Sequence, residues 1–222
     1  MLDQPSAAQA RAAYDAVADA YAAHFPSTEA EPAIDLAMID HLVSEMGPGA
    51  RAVLDAGCGT GRMSRYLADR GCAVRGADLS PGMIAVARRE HPDLAFDVAS
   101  IAALPYPGAS FDAALYWYST IHVPDPELPA VLAEAARVLR PGGLALIGFQ
   151  CGDGLRDVGA LYRALGYEAV LTRVSRRPDD VLAIAAAAGF AERARLVRRA
   201  VAGERDGQAV LLLQAPGGPR SH

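Results

Sequence analysis

An α/β fold on a mostly parallel sheet is what this 222-residue sequence predicts, and three observations carry the prediction. From residue 52 to residue 149, strand-length apolar segments alternate with helix-length ones, the pattern of parallel strands joined by crossovers that cover both sheet faces. After the first strand comes Asp55-Ala56-Gly57-Cys58-Gly59-Thr60-Gly61, where glycines at every second position allow a sharp turn and the close approach of a ligand. Acids stand at the tips of the first two strands, Asp55 and Asp78, at the carboxyl edge where open α/β sheets bind ligands.

Each element has its own signal. Residues 7–24 carry Tyr14, Val17, Ala18 and Tyr21 at helical spacing, and residues 34–46 repeat the pattern with Ile34, Met38, Ile39, Leu42 and Val43 before Gly47-Pro48-Gly49 stops the helix. The alternating core follows as strand 52–56, helix 62–70, strand 73–78, helix 81–90, strand 94–98, strand 111–116, helix 126–139 and strand 144–149. Ser80 as N-cap and Pro81 at the first helical position favour the start at 81. Arg140-Pro141-Gly142-Gly143 separates the last helix of this run from its strand. Residues 151–177 match no regular element. A helix at 178–188 closed by Gly189, a strand at 192–199 and a strand at 208–214 complete the chain, and 216–222 reads as a frayed tail. The organisation expected is an N-terminal helical lid over 1–48, a core over 49–215 with 151–177 as a substrate-side insertion, and the tail.

Composition narrows the function classes. A net charge of −5 argues against a nucleic-acid partner, which requires a basic field. No apolar run approaches the length of a membrane span, and the N-terminus lacks the basic and apolar regions of a signal peptide. Cys58, Cys72 and Cys151 are odd in number and without CxxC spacing, so neither a disulfide framework nor a metal site is indicated. A cytoplasmic protein, monomeric or homodimeric, with a small-molecule substrate is expected. All 21 basic residues are Arg; their excess between 173 and 205 reads as a solvated face.

The turn differs from the dinucleotide fingerprint G-x-G-x-x-G in placing an acid ahead of its glycines. A carboxylate there suits a ligand carrying an ammonium group and repels a pyrophosphate. Asp78, ending the second strand, is placed to accept two ribose hydroxyls. Together with Ala77-Asp78-Leu79-Ser80-Pro81-Gly82-Met83, Leu104-Pro105, Ser110-Phe111-Asp112 and Leu139-Arg140-Pro141-Gly142-Gly143, in order over residues 50–150, the turn resembles that of class I S-adenosylmethionine-dependent methyltransferases. The resemblance implies a Rossmann-like, seven-stranded sheet with helices on both faces and its last strand antiparallel. It also implies S-adenosyl-L-methionine as cofactor and S-adenosyl-L-homocysteine as product.

Carried onto this sequence, the resemblance gives Asp55 and the turn at Gly57, Gly59 and Gly61 the methionine end of the cofactor. Asp78 takes the ribose, and Leu79 and Met83 the adenine faces. Ser100 stands where an acid commonly meets the adenine amino group, and Ile101 supplies a backbone N–H. Arg62 either reaches the methionine carboxylate or is a solvated first-turn residue. In relatives with a Tyr-Asp-x-x-Ala-x-x-Tyr start the first helix is a lid, and Tyr14 and Tyr21 fit that pattern, facing cofactor or substrate unless they form a plain amphipathic stripe.

Tyr116-Trp117-Tyr118-Ser119-Thr120-Ile121-His122, beyond the fourth strand, is the expected substrate wall. Tyr116 is assigned to the cofactor side, and Trp117 and Tyr118 to stacking on the substrate or to the core. His122 is the general-base candidate, since an imidazole titrates near neutrality; the alternative is a histidine that orients the loop. Gln150 and Tyr162 complete the substrate side. Tyr-Trp-Tyr-Ser replaces the Asn/Asp-Pro-Pro-Tyr/Phe of base and amide methyltransferases, so the chain resembles the small-molecule branch, acting on an aromatic or nitrogenous metabolite of secondary metabolism. Two rivals stay open: a binder of the same cofactor with another activity, such as cyclisation, and a nicotinamide-dependent oxidoreductase.

Overall fold

The computed structural model describes residues 4–29, 31–49 and 51–217. Its strands are β1 (Ala52–Ala56), β2 (Ala73–Asp78), β3 (Ala95–Val98), β4 (Phe111–Trp117), β5 (Leu139–Gln150), β6 (Gly154–Asp157), β7 (Thr172–Ser175), β8 (Ala191–Arg198) and β9 (Gln208–Gln214). Its helices are α1 (Ala7–His24), α2 (Ala33–Glu45), α3 (Arg62–Ala68), α4 (Pro81–Glu90), α5 (Leu128–Val138), α6 (Ala160–Ala164) and α7 (Pro178–Ala187). Seven strands form one sheet in the order β3-β2-β1-β4-β5-β9-β8. The last strand, β9, runs antiparallel to both of its neighbours. Strand order reverses between β1 and β4, which opens a crevice at the carboxyl ends of the strands.

Successive side chains of each strand point to opposite faces, and the two cores show it. Leu54, Ala114, Tyr116, Ile147, Phe149 and Leu211 pack on one face against α5 and α7. Val53, Leu115, Trp117, Leu146, Val210 and Leu212 pack on the other against α2 and α3. Strands buried on both faces read as continuous apolar runs, which is why β4 and β9 stand out in the sequence. Ile39 and Leu42 of α2 are fully buried in the second core, so α2 is a layer of the sheet. α1 lies on the cavity side, where Ala18 packs on Met83 and Val86 of α4.

Several expectations change. Residues 151–177, read as irregular, fold into the β6–β7 ribbon with α6 between its strands; short strands of mixed polarity leave little periodic signal. β5 begins at Leu139, paired with Phe111, and the ladder resumes at Ala113 and Leu144, so Arg140–Gly143 form an irregularity inside the strand. A 3-10 turn at Asp125–Glu127 precedes α5. The arginines between 173 and 205 are not simply solvated: Arg173 and Arg176 are buried, and Arg198 is paired with Asp35 and Glu204. Of the expected tail, 218–222 lie outside the described residues, while Pro216 accepts a hydrogen bond from Gly142 N–H at 3.1 Å. Among the described residues no helix is long and apolar enough to cross a membrane.

Candidate active site

A cavity of about 650 Å³ lies at the carboxyl ends of β1, β2, β4 and β5, a volume usual for small-molecule sites. At one end the glycine turn shapes its floor. Gly57 has φ +80 and its N–H donates to Ala77 O at 2.7 Å. A Cβ there would lie 2.2 Å from Ser119 Cβ, so only glycine lets β1 and the β4 loop meet. Gly59 has φ +53 and open space where its Cβ would stand. Its N–H donates to Asp78 Oδ2 at 2.8 Å, while Ser80 N–H donates to Oδ1 at 2.9 Å. Each carboxylate oxygen keeps a lone pair for a ligand. Burial raises the Asp78 pKa.

Leu79, Met83, Ser100 and Ile101 line the same end. The Ser100 hydroxyl accepts from Ala102 N–H at 3.2 Å. Arg62 lines it too, paired with Glu31 at 2.7 Å, with Phe25 below the guanidinium and Nη1 buried with no partner among the described residues. Arg62 is therefore not a solvated side chain.

Three expected residues stand outside this wall. Asp55 is buried behind the turn, where it accepts from Ser64 Oγ at 2.7 Å, and burial lifts its pKa to about 6. Gly61 faces His91 and Phe96. Tyr116, expected on the cofactor side, is fully buried in the α5 core, because alternation along β4 turns it away from Trp117.

At the other end stand Trp117, Tyr118, His122, Gln150 and Tyr162. Tyr118 holds φ +55, a strained value for a bulky residue of the kind found at functional sites. Trp117 Nε1 and Gln150 Oε1 are buried with no partner among the described residues. His122 is not a free imidazole. Its Nδ1 lies 2.8 Å from Thr172 O, an acceptor, so Nδ1 carries the proton and Nε2 accepts from Tyr14 Oη at 2.9 Å. Burial, aided by the nearby Arg173 charge, lowers its pKa to about 4. The expected titration near neutrality gives way to an imidazole held neutral. Burial likewise keeps Tyr14 protonated.

The roof is α1 with the insertion: Ala13 and Val17 pack on Tyr162, Ala169 and Leu171. Asp15, beside Tyr14, pins α1 to α4 by accepting from Ser80 Oγ at 2.6 Å and Gly82 N–H at 2.9 Å. Arg176 ties the end of β7 to the loop after β4 through the carbonyls of Thr120 and Val123. Sequence reasoning missed Asp15, Thr172 and Arg176; only Asp15 left a signal, its place in the Tyr14-Asp15 motif.

This arrangement, a glycine turn and paired strand-tip acid under a helical roof, defines a class I S-adenosylmethionine-dependent methyltransferase fold. Residues 53–143 match the family model described as a methyltransferase domain. A malonyl-[acyl-carrier protein] O-methyltransferase of Serratia marcescens is 36% identical over 161 residues, 69% of this chain and 60% of the relative. The chain spans about half the length of the other curated relatives at the head of the comparison. Among solved structures, the [4+2]-cyclase SpnF superposes with TM-score 0.72 at 20% identity, covering 98% of this chain and 99% of that one. A 1,6-didemethyltoxoflavin-N1-methyltransferase of Burkholderia thailandensis, bound to its namesake substrate and S-adenosylhomocysteine, gives TM-score 0.69 at 22% identity over 97% of this chain and 93% of that one. The chain thus has the fold of the class I S-adenosylmethionine-dependent methyltransferases and carries the match to a methyltransferase domain over residues 53–143.

Proposed function

We propose that this protein moves a methyl group by in-line displacement from S-adenosylmethionine to an O, N or C atom of a small, planar aromatic or nitrogenous metabolite. The observation that carries the reading is one cavity holding both the turn with Asp78 and, beyond it, an aromatic wall with the Tyr14–His122 pair. The residues fit the cofactor: Gly59 offers space where any side chain would intrude, and Arg62 Nη1 is a buried donor with no partner among the described residues, suited to a carboxylate.

When bound, S-adenosylmethionine supplies a methyl activated by its sulfonium leaving group. Asp78 would accept from ribose hydroxyls, with Leu79, Met83, Ser100 and Ile101 around the adenine and Arg62 and the turn at the methionine end. Asp55 would act through the turn it supports. The remaining task is alignment and exclusion of water, which the α1 roof and Trp117 perform. A substrate proton passing to Tyr14 Oη would shift the Tyr14 proton to His122 Nε2. His122 is a weak base at a pKa of about 4, so the site suits nucleophiles that need little deprotonation.

That same weakness favours one second reading, cofactor binding with a non-methylating reaction such as cyclisation. Incubation with methyl-labelled S-adenosylmethionine and a metabolite extract separates the two: label in a small product supports transfer, and cofactor recovered intact from the protein supports the second. Tyr14→Phe should lower turnover at least about tenfold while leaving S-adenosylhomocysteine affinity near wild type; unchanged turnover would make the pair structural.

A further inference from the structure

The substrate end holds a charged group that neither the cofactor nor the Tyr14–His122 pair uses. Arg173 follows Thr172, whose carbonyl holds His122, and lines the cavity at 9% exposure. Its hydrogen-bond partner is Asp206, reached through Nη2, while Nε is buried with no acceptor among the described residues. Asp206 also takes Arg156 at 3.0 Å, so a single carboxylate answers two guanidiniums and leaves a positive charge in excess.

The acids nearby do not cancel that charge. Glu204 of the cavity wall is engaged on both oxygens by Arg198. Asp35, the second acid on Arg198, is fully buried away from the cavity. Gln208 turns its Nε2 to Asp206 O at 3.0 Å. Gln150, its cross-strand partner at the end of β5, and Trp117 line the same cavity as neutral groups. A buried guanidinium with an unused N–H is completed by an anionic oxygen, the acceptor that makes the strongest hydrogen bonds to it.

We propose that Arg173 determines specificity by binding an anionic oxygen of the substrate, a carboxylate or an acidic phenolate, so that the substrate is an organic acid and not a neutral alcohol or an amine cation. The inference rests on the methyltransferase reading for what happens to the acid, not for its binding. A substrate that arrives ionised also needs no strong base, in keeping with the held-neutral His122.

The test is calorimetric titration of the protein, alone and loaded with S-adenosylhomocysteine, with 4-hydroxybenzoate, indole-3-carboxylate and 4-nitrophenolate. Each is paired with its methyl ester or methyl ether and, for the carboxylates, its primary amide. At least one acid should bind about tenfold or more tightly than its neutral partners; carboxylate and phenolate arms report which oxyanion is read. Arg173→Gln should erase the preference with S-adenosylhomocysteine affinity within about twofold of wild type, and Arg173→Lys should restore part of it. Neutral partners binding as well as the acids, no acid binding at all, or a preference surviving Arg173→Gln would each overturn the proposal. Failure of S-adenosylhomocysteine to bind would overturn the methyltransferase reading instead, with acid preference still read on the unloaded protein.

Discussion

At the residue scale, the two-sided hydrogen bonding of His122 gives it a pH signature. In the unfolded chain its imidazole takes a proton near 6.5, and in the fold near 4. Between those values the unfolded state binds more protons, so stability present at neutral pH is lost as pH falls from the first value towards the second. The difference in unfolding free energy between wild type and His122→Asn should therefore narrow by roughly 3 kcal/mol across that window, read by denaturant titration at each pH; a constant difference would mean the ring titrates freely. Asp55 works with the opposite sign. Its pKa of about 6 in the fold, against 3.8 ordinarily, adds stability on acidification, and Asp55→Asn removes that gain. Gly57→Ala forces a Cβ onto Ser119 at φ +80 and should lower thermal stability by roughly 2 kcal/mol or more, seen as a depressed melting temperature. Part of the site was legible at this scale: Gly57, Gly59, Asp78 and His122 line one cavity, while Asp55 and Gly61 stand behind it. Side-chain orientation was not, since Tyr116 and Trp117 differ only in which side of β4 they leave.

At the element scale, the cavity is roofed by two segments of unequal legibility. The α1 stripe was readable because Tyr14, Val17 and Tyr21 recur at helical spacing, and its docking depends on Asp15. Asp15→Ala removes an acceptor from Ser80 and Gly82 and should cost about 1–2 kcal/mol at that contact. Amide hydrogen exchange should then quicken across α1 and the β6–β7 insertion while β1, β4 and β5 keep their protection. Uniform quickening would show that Asp15 supports the whole fold. The insertion escaped the sequence because its order comes from long-range partners. Arg176 grips the Thr120 and Val123 carbonyls, and His122 grips Thr172, pairings that no local pattern encodes.

At the scale of the whole molecule, the mostly parallel sheet follows from the alternation of buried strands and helices, which is legible in the sequence, and its strand order reverses between β1 and β4. The layout sets the site, because the reversal places the glycine turn, Asp78 and the β4 loop around one crevice. Titration of S-adenosylhomocysteine into wild type and Asp78→Asn tests this most directly. One site per chain should be filled by the wild type, with affinity weakened about 30-fold or more in the variant, matching roughly 2 kcal/mol or more for charge-assisted hydrogen bonds. Equal affinities, or a wild type that binds none, would contradict the account.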